Sequence, residues 1–499
     1  MKCARLAAHT LVAVILTAAI GGVHAQTQTP SPPVPGATLT DNPRVAQAIE
    51  LLKVWLEAQR AYDQIPGVSA AVVHDQTLLW SAGYGSSDLA GGLPATATTI
   101  YSICSISKLF TSISVMQLRD AGKLRLDDPV AKHLSWYRIK QTAPEAGEAT
   151  IEGLLTHASG LPREADYPYW TSPFTFPTRE EVIERLAKQE TLYPAETYYQ
   201  YSNLGLTLAG EVVAAASGEP YAAYVRRHVL DPLGLKDTTP ELPETERGKR
   251  LAVGYGAITR DGSRTPLPFF SARGITPAAG FASTATDLAR FASWQFRLLG
   301  KGGAEVLNAN TLREMHRVHF IDPDFETTYG LGFSVWRSDN KTFVGHGGSC
   351  PGYRTQILLK DDEKTATVFM SNALGVNSQQ FAQRMYDIVG PVIASAVKGT
   401  EKPKEPDPEL RRYVGTYNAS FGGEIAVVLW QDGLAMLSLP TMDPMRGLTK
   451  LKKEGEHAFR RIRKDEVLGE AIVFEMGPDG RPTRFIWNSN YYPRVKSSS

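Results

Sequence analysis

The sequence has almost no excess of either charge, with 53 Lys and Arg against 52 Asp and Glu. That balance gives a polyanion or nucleic acid nothing to hold, and leaves small, neutral or locally complementary molecules as partners. Long apolar runs are also missing. Residues 11–20 form an apolar stretch, but it falls short of the roughly 20 residues a membrane span needs, and nothing else in the chain comes nearer. There is no internal repeat, no Gly-x-Ser-x-Gly elbow and no metal motif. "GGSCP" at 347–351 lacks the elbow's last glycine, which makes an α/β-hydrolase a poor rival. His316 and His319 have a weak metal-like spacing with no carboxylate motif beside them, so a surface role is expected.

With 499 residues, two or three domains are expected. Lys2 and Arg5, the apolar run and the small-residue site Val23-His24-Ala25 read as a secretory signal over 1–25. The mature chain is expected to be exported, periplasmic or secreted, with no membrane-spanning segment. Residues 26–40, rich in Pro, Thr and Gln, read as a disordered leader. A helix follows, capped by Asp41 or Asn42, about six turns long.

"GVSAAVVHD" and "QTLLWSAGYG" then read as two strands turning near Asp75. Helical periods dominate from Ser105 to about Arg317. Strand-like runs return in "TYGLGFSVWR", "KTFVGHGG" and "YRTQILLK…KTATVFMSN", the last turning at Asp361-Asp362-Glu363. Short turns force antiparallel neighbours, so one antiparallel sheet built from both ends of the domain is expected, with a helical region inserted between. A last helix capped at Ser378 would pack on it. This domain spans 41–397, and 398–409 reads as a charged, Pro-rich linker without core positions. Residues 410–496 alternate apolar and polar, with turns at Gln431-Asp432-Gly433 and Pro478-Asp479-Gly480: a small all-β domain of six to eight strands, most simply a barrel.

Chemistry concentrates in three motifs. Ser-x-x-Lys occurs three times: Ser105 with Lys108, Ser338 with Lys341, and Ser395 with Lys398. Ser338-Asp339-Asn340-Lys341 reads as a turn between strands, and Ser395 lies at the linker's edge. Ser105 alone opens a long helix, where a lysine three residues on shares its face and the helix dipole favours an oxyanion. Tyr201-Ser202-Asn203 is the chain's one Tyr-x-Asn, and His346-Gly347-Gly348 its one His-x-Gly. Singly, each has a bland reading: a helix cap and a snorkelling lysine, or ordinary loop residues.

In this order, and with "LLTHASGLP", "PAAGFASTATDLARF" and "YGLGFSVW" around them, the motifs resemble the penicillin-recognising serine hydrolases over about residues 42–392. That family comprises class C β-lactamases, DD-peptidases, D-aminopeptidases and related esterases. The resemblance implies an α+β, β-lactamase/transpeptidase-like fold, an acyl-enzyme at Ser105, and no metal or cofactor. Lys108 would take or relay the serine proton, and Tyr201 would do so on the other side, serving the leaving group and the deacylating water. Asn203 would hold the substrate amide or fix Lys108, and Ser105 and Ser349 would supply the oxyanion N–H groups. Gly347 and Gly348 would let an edge strand approach the acyl group. His157 is expected to be structural.

Many β-lactamases carry Lys-Thr-Gly where this chain has His346-Gly347-Gly348. Histidine is mostly neutral at pH 7, so esters or D-amino-acid amides are expected over carboxylate-bearing β-lactams. After signal removal Cys104 and Cys350 remain. They resemble the bridged pair of class A carbapenemases, which implies a Cys104–Cys350 disulfide. The C-terminal domain resembles the lipocalin-like appendage of some of these hydrolases. The expected partner is a small molecule: an ester, a D-peptide or a β-lactam. The readings kept beside this are a β-lactamase proper and a non-catalytic binder of cell-wall peptides or β-lactams.

Overall fold

The computed structural model of the chain describes residues 39–399, 405–419 and 421–495. The expected signal segment, most of the leader and the middle of the linker lie outside the described residues. Where the leader was expected to end, Leu39–Asp41 form a short 3-10 turn instead. Asn42 rather than Asp41 caps the first helix, Pro43–Tyr62, its side-chain oxygen accepting from Arg44 N at 2.9 Å and Val45 N at 3.3 Å. Proline at the first helical position forfeits no hydrogen bond and presets φ.

Nine antiparallel strands form the main sheet. Across it run Leu93–Pro94, Thr77–Asp88, Gly67–His74, Thr365–Ser371, Tyr353–Lys360, Lys341–Cys350, Ser334–Ser338, Thr328–Tyr329 and Phe320–Ile321. The β-strands from the start of the domain thus pair with those from its end, Val68 opposite Ser371 and His74 opposite Thr365. Gly67–His74 and Thr365–Ser371 are buried on both faces, so both read as nearly unbroken apolar runs.

One face of the sheet carries Pro43–Tyr62 and the last helix of the domain, Ser378–Lys398, with Trp55 and Phe381 ring centroids 5.6 Å apart. That last helix is capped by Asn377, whose side chain accepts from Gln380 N; Ser378 is its first residue and donates to Thr355 O instead. The other face carries the helical insert, built around Ser107–Asp120, Asn203–Ser217 and Ala285–Lys301. His316, expected at the surface, is buried between Asp361 Oδ2 at 2.7 Å and Gln295 Oε1 at 3.0 Å. His319 bonds Glu152 Oε1 at 2.9 Å. Among the described residues no helix is long and apolar enough to cross a membrane, and no group of three His, Cys, Asp or Glu side chains could hold a metal.

Beyond the linker, eight antiparallel strands follow one another in chain order from Gly415–Asn418 to Asn490–Pro493. Val495 N bonds Thr416 O at 2.8 Å, so the last strand returns to the first and the barrel nearly closes. Tyr413, Tyr417, Phe459, Phe474 and Phe485 fill it. Alternation sends Ile425 and Val427 inward, while Ala426, Val428 and Trp430 pack against the first helix in the same core as Trp55 and Phe369. Trp55 Nε1 donates to Thr441 O at 2.7 Å. The linker, read as free of core positions, contributes a buried Pro406 at its far end, and Lys398 still belongs to the helix.

Candidate active site

The three motifs converge on one cleft of about 830 Å³, lined among others by Ser105, Tyr201, Asn203, His346, Gly347, Gly348 and Ser349. The other two Ser-x-x-Lys sites do not line it. Ser338 ends a strand and Ser395 lies within the last helix.

Ser105 sits in the turn that joins the short strand Tyr101–Ser102 to the helix Ser107–Asp120. The preceding residue, Cys104, has φ +51°, a left-handed conformation that side chains other than glycine rarely adopt. Three contacts hold the turn there. Ser107 Oγ donates to Cys104 O at 2.5 Å, Thr355 Oγ1 donates to Ile103 O at 3.2 Å, and a disulfide joins Cys104 to Cys350 with 5.7 Å between their Cα atoms. The bridge ties the nucleophile's turn to the end of the strand that carries His346-Gly347-Gly348. Reduction, or the Cys104→Ser/Cys350→Ser pair, is expected to lower stability by about 2–5 kcal/mol. The positive φ should then relax, and activity should fall with it; thermal melting and turnover with and without reductant measure both.

Lys108 lies fully buried one helical turn after Ser105. Its Nζ is 3.2 Å from Ser105 Oγ, 2.8 Å from Asn203 Oδ1 and 2.8 Å from Ala278 O. Burial drives its pKa well below that of a free lysine, against the pull of Glu164 and with a further push from Arg163. Asn203 holds its place because Ser202 caps the helix Asn203–Ser217. Tyr201 stands beside Ser105 and hydrogen-bonds it; burial raises its phenol well above the usual value, so the side chain rests protonated. Arg163 Cζ and Lys108 Nζ each lie 4.8 Å from its ring centroid.

Each phrase around the motifs has a local task. In "LLTHASGLP", His157 takes φ +62° at the end of the helix Ile151–Thr156. Its Nδ1 accepts from Ser202 N at 3.1 Å, and its ring lies 4.3 Å from that of Tyr201. In "PAAGFAS", Ala278 supplies a carbonyl to Lys108, and Ala282–Ser283 pairs with Tyr101–Ser102. In "YGLGFSVW", Tyr329 reaches His346.

His346 does not behave as a substrate-facing cation. Its Nδ1 lies 2.6 Å from Gly347 O, which can only accept, so Nδ1 carries the hydrogen. Nε2 is then an acceptor, and the Tyr329 hydroxyl donates to it at 2.7 Å. The ring is 4 % exposed, and burial, with Lys108 nearby, lowers its pKa to about 3. His157, fully buried, is likewise driven well below 6.5 by burial. Between pH 6.5 and about 3 the unfolded chain therefore binds protons at His346 that the fold refuses, and stability falls as pH falls. Each such histidine costs about 1.4 kcal/mol per pH unit. Denaturant unfolding at pH 5.5 is expected to give about 2–3 kcal/mol less than at pH 7, and His346→Asn to remove about half of that difference.

The strand Lys341–Cys350 is not an edge strand throughout, as the sequence reading had it. Lys341 to Gly345 pair with Ser334–Ser338, and only Val344 and Gly345 of these also pair with Tyr353–Lys360; from His346 onward the strand pairs with Tyr353–Lys360 alone, leaving one side open to the cleft. Gly348 is required on the nucleophile's account: a Cβ there would lie 2.3 Å from Ile103 O and 2.2 Å from Thr355 Oγ1. Arg163, Trp170, Phe174, Arg354 and Gln356 also line the cleft and were missed in the sequence, as was Glu164 behind it. Arg163-Glu164 follows directly on "LLTHASGLP", and that adjacency was the available signal.

The family described as Beta-lactamase matches residues 54–389. The chain is 27% identical to "Beta-lactamase-like protein 2" of Dictyostelium discoideum over 418 residues, 79% of this chain and 75% of that protein. It is 25% identical to "Penicillin-binding protein 4" of Amycolatopsis lactamdurans, over 73% of this chain and 96% of that one. The octameric penicillin-binding protein homologue from Pyrococcus abyssi superposes with a TM-score of 0.60 at 23% identity, covering 90% of this chain and 100% of its own.

Proposed function

The chain belongs to the beta-lactamase family, and from that premise we propose that it is an exported serine hydrolase that cleaves ester or amide bonds through an acyl-enzyme at Ser105. One observation carries the reading: a buried amine, Lys108, sits 3.2 Å from a cleft-lining serine hydroxyl with its other contacts taken by two oxygens. Neutral at working pH, that amine accepts the Ser105 proton as Oγ attacks the carbonyl carbon. Tyr201, protonated and hydrogen-bonded to Ser105, gives its proton to the leaving oxygen or nitrogen and is restored by the proton on Lys108. Backbone N–H groups of Ser105 and Ser349, at two sides of the cleft, hold the developing oxyanion. Water then attacks the acyl carbonyl, gives its proton to the Lys108–Tyr201 pair, and Ser105 leaves with a proton from it.

The cations on the cleft are Arg163 and Arg354, not the third motif. With His346 neutral and both ring nitrogens engaged, nothing on the glycine strand itself neutralises a carboxylate, and acyl donors without one are favoured. Export rests on the leading segment and on the disulfide, since such bridges persist outside reducing compartments. Hydrolysis of p-nitrophenyl butyrate, a D-amino-acid p-nitroanilide and nitrocefin by the mature protein tests the reading. Ester or anilide turnover at least about tenfold above nitrocefin is expected. Faster nitrocefin turnover would make the chain a β-lactamase proper, and no turnover of any of the three would remove the hydrolase reading.

A further inference from the structure

Three oxygens surround the Lys108 amine, and a neutral amine has two hydrogens and one lone pair to give them. Ala278 O can only accept, so it takes one hydrogen. Asn203 presents either an oxygen or an NH₂ group, and which one decides where the lone pair goes. With the oxygen toward Lys108, the second hydrogen is used there and the lone pair is left for the Ser105 hydroxyl. With the NH₂ group toward Lys108, the amide itself would occupy the lone pair and the base would be blocked.

Glu164 settles the choice. Its Oε1 is 2.8 Å from Asn203 Nδ2, and a carboxylate can only accept. Its Oε2 accepts from the Tyr169 hydroxyl, and Arg163 Nε lies 3.1 Å from Oε1. The backbone makes the contact permanent. Asn203 N donates to Arg163 O at 2.8 Å, Ser202 Oγ to Pro162 O at 2.7 Å, and Gln189 Nε2 to Glu164 O at 2.9 Å. The loop that carries Glu164 is therefore docked onto the start of the helix that carries Asn203.

We propose that Glu164 is a positioning residue for acyl transfer: by taking the Asn203 amide hydrogens it turns the Asn203 oxygen onto Lys108 and leaves the amine's lone pair to Ser105. The inference rests on the reading of Lys108 as the base. Glu164 has a second effect on the same amine, through charge. The ionisable groups facing Lys108 are Glu164 and Arg163 from the loop, Tyr201 ahead of the Asn203 helix, and the neutral His157 and His346. Glu164 is the anion among them and favours the ammonium form, so its removal moves the Lys108 titration to lower pH.

Two variants separate orientation from charge. Glu164→Gln keeps an acceptor oxygen for Asn203 and loses the charge; Glu164→Leu loses both. The ionisation of Lys108 is followed by NMR of ¹³Cε-labelled lysine, with Lys108→Met assigning the signal. Acylation is followed as the pH profile of single-turnover ester cleavage. In Glu164→Gln both the lysine titration and the acidic limb of acylation are expected at lower pH, with the plateau rate within about threefold of wild type. In Glu164→Leu the plateau is expected to fall by about tenfold or more. A lysine titration unmoved in Glu164→Gln, or Glu164→Leu acylating at the wild-type rate, overturns the proposal. A wild type that never acylates sinks the hydrolase reading, while the lysine titration still decides whether Glu164 acts on the Lys108 amine.

Discussion

Ser105→Ala is expected to lower turnover of any substrate the wild type cleaves by about 10⁴-fold or more, and to abolish the covalent adduct in intact-mass spectra. The substitution removes one oxygen from a half-buried site and leaves the surroundings in place. Lys108 keeps its bonds to Asn203 and Ala278, the disulfide holds the turn, and Tyr201 keeps its packing on His157. Binding should persist, with Kd changed far less than the rate, because the cleft walls and the open side of the glycine strand are untouched. A Ser105→Ala protein that keeps more than about a hundredth of the wild-type rate would mean that another group attacks the substrate.

Lys108→Met should produce a loss of about 10²–10⁴-fold in acylation, the range for removing a positioned general base. It should also change how stability depends on pH. In the wild type the fold holds Lys108 neutral well below pH 10.5, while the unfolded chain carries it charged. As pH falls from about 10.4 toward the folded value, the unfolded state binds a proton that the native state does not, and wild-type stability drops by about 1.4 kcal/mol per unit. Methionine, of similar shape, has no such slope. Two carbonyl oxygens lose their donor in the variant, a pH-independent cost of about 1–3 kcal/mol each. The variant is therefore expected to gain on the wild type steadily as pH falls below about 10 in denaturant unfolding, until the folded value of Lys108 is reached. Parallel curves for the two proteins would show that Lys108 is charged in the fold.

The strands flanking the domain, the helical insert and the count of barrel strands were readable because alternation and helical period are local signals. Ser105, Lys108, Tyr201 and Asn203 were readable because their spacing along the chain is fixed by two helix starts. What was not readable depends on partners far away in sequence. His346 looks like a substrate-binding group until Tyr329 and its own neighbour's carbonyl are seen to use both nitrogens. His316 looks exposed until Asp361 and Gln295 close over it. Glu164 carries no motif of its own, and its meaning lies in an amide 39 residues on. The cap of the first helix was left open between Asp41 and Asn42 and that of the last was misplaced by one residue, Ser378 for Asn377, since neighbouring Asp, Asn and Ser are comparably good cap formers.

The bond from Trp55 to Thr441 spans 386 residues and ties the first helix to the last domain. A chain is synthesised from its first residues, so Trp55, Leu51 and Leu52 arrive long before Ala426, Val428 and Trp430 that cover them. At about 5–20 residues per second, synthesis alone leaves that apolar surface uncovered for roughly 20–80 s. The barrel is in this sense the closing piece of the main domain's core, and the first helix must be kept from other chains until it comes.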